Sequence, residues 1–385
     1  MATGKTVSMG AILGLNNRLP PTRMEVTQPN RSKASWLQVA NNIDLTEGGL
    51  LKSRQGFQAV QAGYFHSLWA DEADAYAVRD GHLVKLDART MAAAVVVPDV
   101  GNARVSYARL PDGMVYWSNG LRIGRMAGAV SRALVTNKPN PAPVAVPVVG
   151  SLPAGRYQVC FTALGADGES PSTEPVALNL PDGGGIAFQG MTPDTLAYAT
   201  GPNGEIFNEV ASGDYLSLGN TGAVCNTFML AAMPPGHQIA HYRGSLLAAR
   251  GTLLYLSEPY RYGLLNLGRA FIPFPSEITV VQPCEDGLYV CADKTYWIPG
   301  DPLASAPTVV LPYGALCGSA AFDPHEQTAY WQGPQGLVVA KPGGQVAVPQ
   351  DEALIFGAAR SGATLVREQG GDRHVVTARF DVEPI

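Results

Sequence analysis

His325-Glu326 begins the H-E-x-x-H pattern, in which two imidazoles one helical turn apart hold zinc and the glutamate activates water. The fifth position here is Ala329, so the second imidazole is missing and His325 reads as a loop residue. Gly4-Lys5-Thr6 matches the end of a phosphate-binding loop, without the upstream glycine and strand that would shape the cradle. Gly183-Gly184-Gly185 follows a strand pattern but opens no helix, and no G-x-S-x-G occurs, so neither a dinucleotide turn nor a nucleophile elbow is expected. Cys284 and Cys291 stand seven apart, which suits neither C-x-x-C redox chemistry nor a zinc knuckle. Strand alternation predicts that they face opposite sides of a sheet. Asp71, Asp74, Glu258, Asp293 and Asp323 are the carboxylates from which a glycosidase would draw its pair. Isolated aspartates at β-turns are ordinarily turn formers. The expectation is therefore no enzyme, no metal and no cofactor.

The elements that would have to position such residues are strands. Tyr116-Trp117, Tyr296-Trp297 and Tyr330-Trp331 each sit at the end of a short apolar run, followed within three residues by Gly120, Gly300 or Gly333. Asp112-Gly113 and Asp286-Gly287 lie just upstream of two of these pairs. A hairpin repeated with a heavy aromatic pair implies one supersecondary unit used several times. Further runs such as Tyr76-Ala77-Val78, Asp80-Gly81, Leu83 to Leu86 have the same form, because Asp-Gly supplies the positive φ of a tight hairpin turn. Neighbouring residues on a strand point to opposite faces, so one member of each Tyr-Trp pair fills the space between sheets. Trp69, Trp117, Trp297, Trp331, Tyr116, Tyr296 and Tyr330 are thus the expected blade-core aromatics. A short helix over 34–42, capped by Ser32, is the one helical expectation.

The 385 residues contain 43 Gly and 30 Pro, and only 15% are charged, against roughly 25% in an ordinary soluble domain. Such an exterior suits either a subunit much of whose surface lies in contacts or a turn-rich all-β domain. The net charge of −5 excludes a general basic face for holding nucleic acid through its phosphates. Five scattered cysteines, an odd number, point to free thiols in a reducing compartment. Val7 to Leu15 is short and broken by Gly10 and Gly14, so neither a signal peptide nor a membrane anchor is expected, and Asn30-Arg31-Ser32 carries no weight as a glycosylation site.

Spacing divides the chain. Trp69 and Trp117 are 48 residues apart and Trp297 and Trp331 are 34 apart, but 180 residues separate Trp117 from Trp297. Asn137 to Pro147 is proline-rich, Tyr157 to Phe161 reads as a period-2 strand, and Pro234-Pro235 closes the segment. That pattern resembles an immunoglobulin or fibronectin type III sandwich, which takes about 100 residues. With it removed, the rest fits units of about 40 to 45 residues, the period of four-stranded propeller blades. The expected fold is all-β: a β-propeller of five or six blades carrying an inserted Ig/fibronectin-III-like β-sandwich. Its parts are an N-terminal arm (1–56), a first set of blades (57–137), the sandwich (138–235) and a second set (236–385). Blade cores are expected near 57–97, 103–133, 237–272, 277–310, 315–348 and 352–382, the last completed by N-terminal strands.

Asn16-Asn17-Arg18-Leu19-Pro20-Pro21-Thr22-Arg23, then Ala40 to Leu45 and Leu51 to Phe57, resemble the N-terminal arm of tailed-bacteriophage virion proteins. Leu254 to Pro259, Ile272-Pro273-Phe274-Pro275, Asp286 to Val290, Thr295-Tyr296-Trp297 and Gly300-Asp301-Pro302 look like the propeller blades of phage tail hub or nozzle subunits. The resemblance covers about a third of the chain. It implies a virion tail protein of a short-tailed phage, made in the host cytoplasm and assembled as a six-fold homo-oligomeric ring around the DNA exit channel. Adaptor and fibre proteins would be its partners, and DNA would pass without sequence-specific binding. An acidic wall suits that passage, since it repels phosphates. Asn16, Arg18 and Arg23, with Arg54 nearby, would bond a neighbouring subunit. The rival expectation is a carbohydrate-binding or glycoside-hydrolysing propeller with a fibronectin-type module.

Overall fold

A computed structural model describes residues 10–30, 32–45, 50–54, 56, 58–211, 213–369 and 372–382. Gly4-Lys5-Thr6, Arg31, Gln55 and Phe57 lie outside them. The protein is all-β, and no α-helix occurs among the described residues. The chain divides into two compact units, Gly63–Phe274 and Met1–Ala62 with Pro275–Ile385.

The first unit holds three four-stranded antiparallel sheets, at 65–97, 106–132 and 238–273, each with its strands in chain order. Asp80 (φ 50°) and Gly81 (φ 80°) form the turn that brings Arg79 opposite His82. Both central residues have positive φ, as the Asp-Gly signal requires. The sheets stack through alternate strand positions. Trp117 and Val115 face Tyr76, Val78, Leu83 and Val97 of the 65–97 sheet, while Tyr116 faces Ile239, Leu246 and Ala248 of the 238–273 sheet. Both ring systems are buried, and the indole Nε1 of Trp117 has no partner. Burying some 200 Å² of ring is worth about 5 kcal/mol, which outweighs the roughly 1–3 kcal/mol that an unmade hydrogen bond costs.

Between the second and third of these sheets the chain builds a two-sheet body. Val144–Leu152 pairs with Gly184–Gln189. Gly155–Gly165 pairs with Gly168–Glu169, Val176–Leu180 and Thr195–Ala199, and two further strands extend that sheet. Tyr157, Val159 and Phe161 project from the second sheet towards Ala145, Ile186 and Tyr215, forming a common core. The Tyr157 hydroxyl donates to the Pro153 carbonyl at 2.9 Å.

The second unit contains four-stranded sheets at 280–311 and 321–347. Tyr289 and Trp297, cross-strand neighbours, meet Trp331 in one core, with Tyr289 ring centroids 4.6 Å from Trp297 and 5.3 Å from Trp331. Here the expectations need four corrections. Tyr296-Trp297 lies on the third strand of its sheet, Thr295–Pro299, whereas Tyr116-Trp117 and Tyr330-Trp331 lie on second strands. The Asp286-Gly287 pair leads into the second strand, Gly287–Cys291, whose core aromatic is Tyr289. Cys284 and Cys291 share one core rather than facing opposite sides, because Cys284 lies in the turn, its N–H donating to Gly287, and the strand alternation does not run through it. Residues 352–382 form a two-stranded hairpin, Ser361–Gln369 with Asp372–Phe380, and the N-terminal strands pair among themselves instead of completing it. Finally, 34–42 is no helix. Lys33–Leu37 is the central strand between Ala11–Leu15 and Glu25–Thr27, since nine residues of modest helix preference yield to two flanking strands.

Candidate functional site

Of the predicted interface residues, Asn16, Arg18 and Arg54 make hydrogen bonds within their own unit. Asn16 is buried and its Oδ1 accepts from the Arg18 and Leu19 N–H groups, both at 3.0 Å. Asn17, which the sequence reading passed over, exchanges two bonds with Ile355: Nδ2 to its carbonyl at 2.9 Å and Oδ1 from its N–H at 2.7 Å. Arg18 Nε donates to the Leu354 carbonyl at 3.3 Å. Arg23 ends a 3-10 turn, Pro21–Arg23, and is exposed. Arg54 donates from Nε to Asp44 at 2.6 Å across the Ile43–Leu45/Leu51–Ser53 hairpin. Asn17 and Arg18 thus meet the 353–355 turn of their own chain.

Of the expected core aromatics, Trp117, Trp297, Trp331, Tyr116 and Tyr330 are buried. Trp69 is partly buried against Tyr76 and Tyr107. Tyr296 is half-buried and stands outside the core, its hydroxyl donating to Asp293 at 2.8 Å.

The five candidate carboxylates are each engaged. Asp71 and Asp74 converge, but on cations: Arg109 donates to both, and Lys85 Nζ reaches Asp74 at 2.6 Å. Asp71 Oδ1 also caps its own turn, accepting from the Ala73 and Asp74 N–H groups. Burial pushes both carboxyls up, but Arg109, with Lys85 for Asp74 and the turn amides for Asp71, outweighs it and holds them below the usual carboxylate range. A carboxyl pair whose proton affinity is lowered by an arginine is the reverse of the raised pKa a general acid uses. Asp323 is buried, caps the His325 and Glu326 N–H groups, and pairs with Arg373 at 3.1 Å. Glu258 lies 3.7 Å from Arg269. His325 therefore sits in a turn capped by Asp323. Among the described residues no group of three or more His, Cys, Asp or Glu is placed to hold a metal ion.

One concavity is announced by no motif. It has a volume of about 330 Å³ and lies in the first unit, where the 106–132 sheet, the turn at 167–169 and the 260–264 segment meet. A chain of charge-assisted bonds runs along its wall. Asp167 Oδ1 accepts from Arg125 at 2.5 Å, and Tyr116, directly opposite Arg125 in the sheet, donates its hydroxyl to Asp112 at 2.7 Å. Burial opposes the charge on Arg125, but Asp167 and Tyr116 restore it and raise its pKa. Glu169 Oε1 accepts from Thr162 and Tyr198 at 2.7 and 2.8 Å. Burial, then the Asp112 carboxylate, raises Tyr116 well above the ordinary phenol value, so it stays a neutral donor. Its ring meets Tyr262 edge-on at 5.6 Å. The three segments are distant in sequence, so only the Tyr116–Arg125 hairpin could have been anticipated.

No family model matches this chain, and no curated protein does. Among solved structures it is similar to the extracellular domains of a putative one-component system and a putative hybrid two-component system of B. thetaiotaomicron. Each is 9% identical over 83% of this chain, with TM-scores of 0.24 and 0.25. The chain spans about half the length of those domains, 53% in both cases, and a likeness at this level carries neither fold detail nor function to it.

Proposed function

We propose that the chain is a non-enzymatic structural subunit of a bacteriophage tail, one copy in a ring of six around the DNA exit channel, docking other tail proteins on its outside. In this reading the five four-stranded sheets are propeller blades, and the two-sheet body between 144 and 224 is an inserted Ig- or fibronectin-like sandwich. The observation that carries the reading is the exterior. Large apolar side chains stand in solvent across the chain, among them Leu121 at 78%, Val149 at 90% and Met229 at 73% exposure, while only 15% of residues are charged. Single exposed apolar side chains are ordinary on any surface, but together with so few charges they suit a subunit enclosed by copies and neighbours. Rings form when one head-to-tail contact closes by rotation.

The mass of the purified full-length chain, measured by native mass spectrometry and light scattering, tests this. A closed ring of six or more copies is expected. A chain that stays monomeric at every concentration up to its solubility limit overturns it.

A further inference from the structure

We propose that the cavity bounded by Asp112, Arg125, Glu169 and Tyr260 binds a neutral or amino-substituted pyranose. This inference is independent of the tail-ring reading, since it concerns one unit of one chain.

The first argument is backbone geometry. Tyr260, at the mouth of the cavity, has φ 58°. For a bulky side chain this is a strained conformation, held by its N–H donating to the Gly244 carbonyl at 2.7 Å. Gly244 itself has φ 78°, and a Cβ there would lie 3.0 Å from the Tyr260 ring, so the ring rests on a bare backbone. Its other side is open: Tyr260 is 75% exposed. An aromatic ring fixed in solvent at a cavity mouth offers an apolar platform of the kind on which the C–H face of a sugar stacks.

The second argument is the polar lining. Asp112, Asp167 and Glu169 oppose Arg125 and Arg261, an excess of one negative charge that disfavours phosphates and sulfates. Donors and acceptors are interleaved, as a ring of hydroxyl groups requires. Asp112 is exposed with lone pairs to spare. The volume of about 330 Å³ sits at the small end of the range for small-molecule sites, roughly 300–1,000 Å³. It admits one or two sugar rings and excludes a folded peptide or an oligonucleotide segment.

The test is saturation-transfer NMR and calorimetry of the full-length chain against glucose, galactose, mannose, N-acetylglucosamine and glucosamine, with inorganic phosphate as the anionic probe. Saturable binding of at least one sugar is expected, weakened about tenfold by Tyr260→Ala and by Asp112→Asn, and retained by Tyr260→Phe. Equal melting temperatures of Tyr260→Ala and the parent chain separate loss of binding from loss of fold. The proposal fails if no sugar saturates, if Tyr260→Ala binds as well as the parent, or if phosphate binds more tightly than every sugar. Failure of ring assembly would leave these results unchanged.

Discussion

The same dipeptide has two fates in this protein. In the 106–132 sheet, Tyr116-Trp117 occupies the second strand, and its two rings are driven into two different cores, one on each face. In the 280–311 sheet, Tyr296-Trp297 occupies the third strand: Trp297 is buried, but Tyr296 is half-exposed, and Tyr289 on the neighbouring strand supplies the second core ring. Every residue of Val115–Ser118 is buried, whereas in Thr295–Pro299 Tyr296 is only partly covered and Pro299 is exposed, although Ile298 on the face of Tyr296 is buried. What an aromatic pair contributes is therefore set by its strand's position in the sheet, not by its own composition.

The sharpest way to break this comparison is truncation. Trp117→Ala and Trp331→Ala should each cost about 3–5 kcal/mol in denaturant unfolding, as buried large rings do. Tyr116→Ala should cost about 3 kcal/mol and Tyr296→Ala about 1; equal losses at the two tyrosines would abolish the distinction. Gly124 tests how tightly Trp117 is held. A Cβ there would lie 2.8 Å from the indole Nε1, so Gly124→Ala should destabilise by about 1–3 kcal/mol, and a smaller loss would mean the ring is free to shift. The Tyr289 hydroxyl donates to the Lys341 and Gln345 carbonyls at 2.5 and 3.2 Å. Tyr289→Phe should therefore cost about 1–2 kcal/mol, with the ring still filling the core. The smallest effect concerns charge. Asp71 and Asp74 have folded pKa values below their unfolded ones, so their contribution is complete above roughly pH 3.9 and is lost as pH falls through the folded values. Arg109→Met should flatten that acid limb of a melting-temperature profile; an unchanged limb would detach the cluster from stability.

The strand-rich character and the positions of the repeated sheets were legible because they depend on local chemistry. Asp80-Gly81 turns where its positive φ values require it, and the sheets at 65–97, 106–132, 238–273, 280–311 and 321–347 fall on the alternating runs. The Asp286-Gly287 signal misled in detail: Gly287 opens a strand, where its missing Cβ leaves room for the Trp297 ring at 2.5 Å. The helix expected over 34–42 failed because Lys33–Leu37 pairs with two strands earlier in the chain, Ala11–Leu15 and Glu25–Thr27, that share no local pattern with it. Arg18 read as a partner contact, since nothing local reveals that the Leu354 carbonyl, more than 330 residues away, accepts from it.

By itself, then, the sequence determined the element type, the sheet spacing and the absence of a familiar catalytic motif, all of which follow from side-chain period and turn chemistry over a few residues. Only the tertiary structure decided which aromatic of each pair is buried, that Asp71 and Asp74 are neutralised by Arg109, and that Arg125, Glu169 and Tyr260 line one cavity. Those facts require segments far apart in the chain to meet, and that meeting is governed by which faces stack, a property no local window contains.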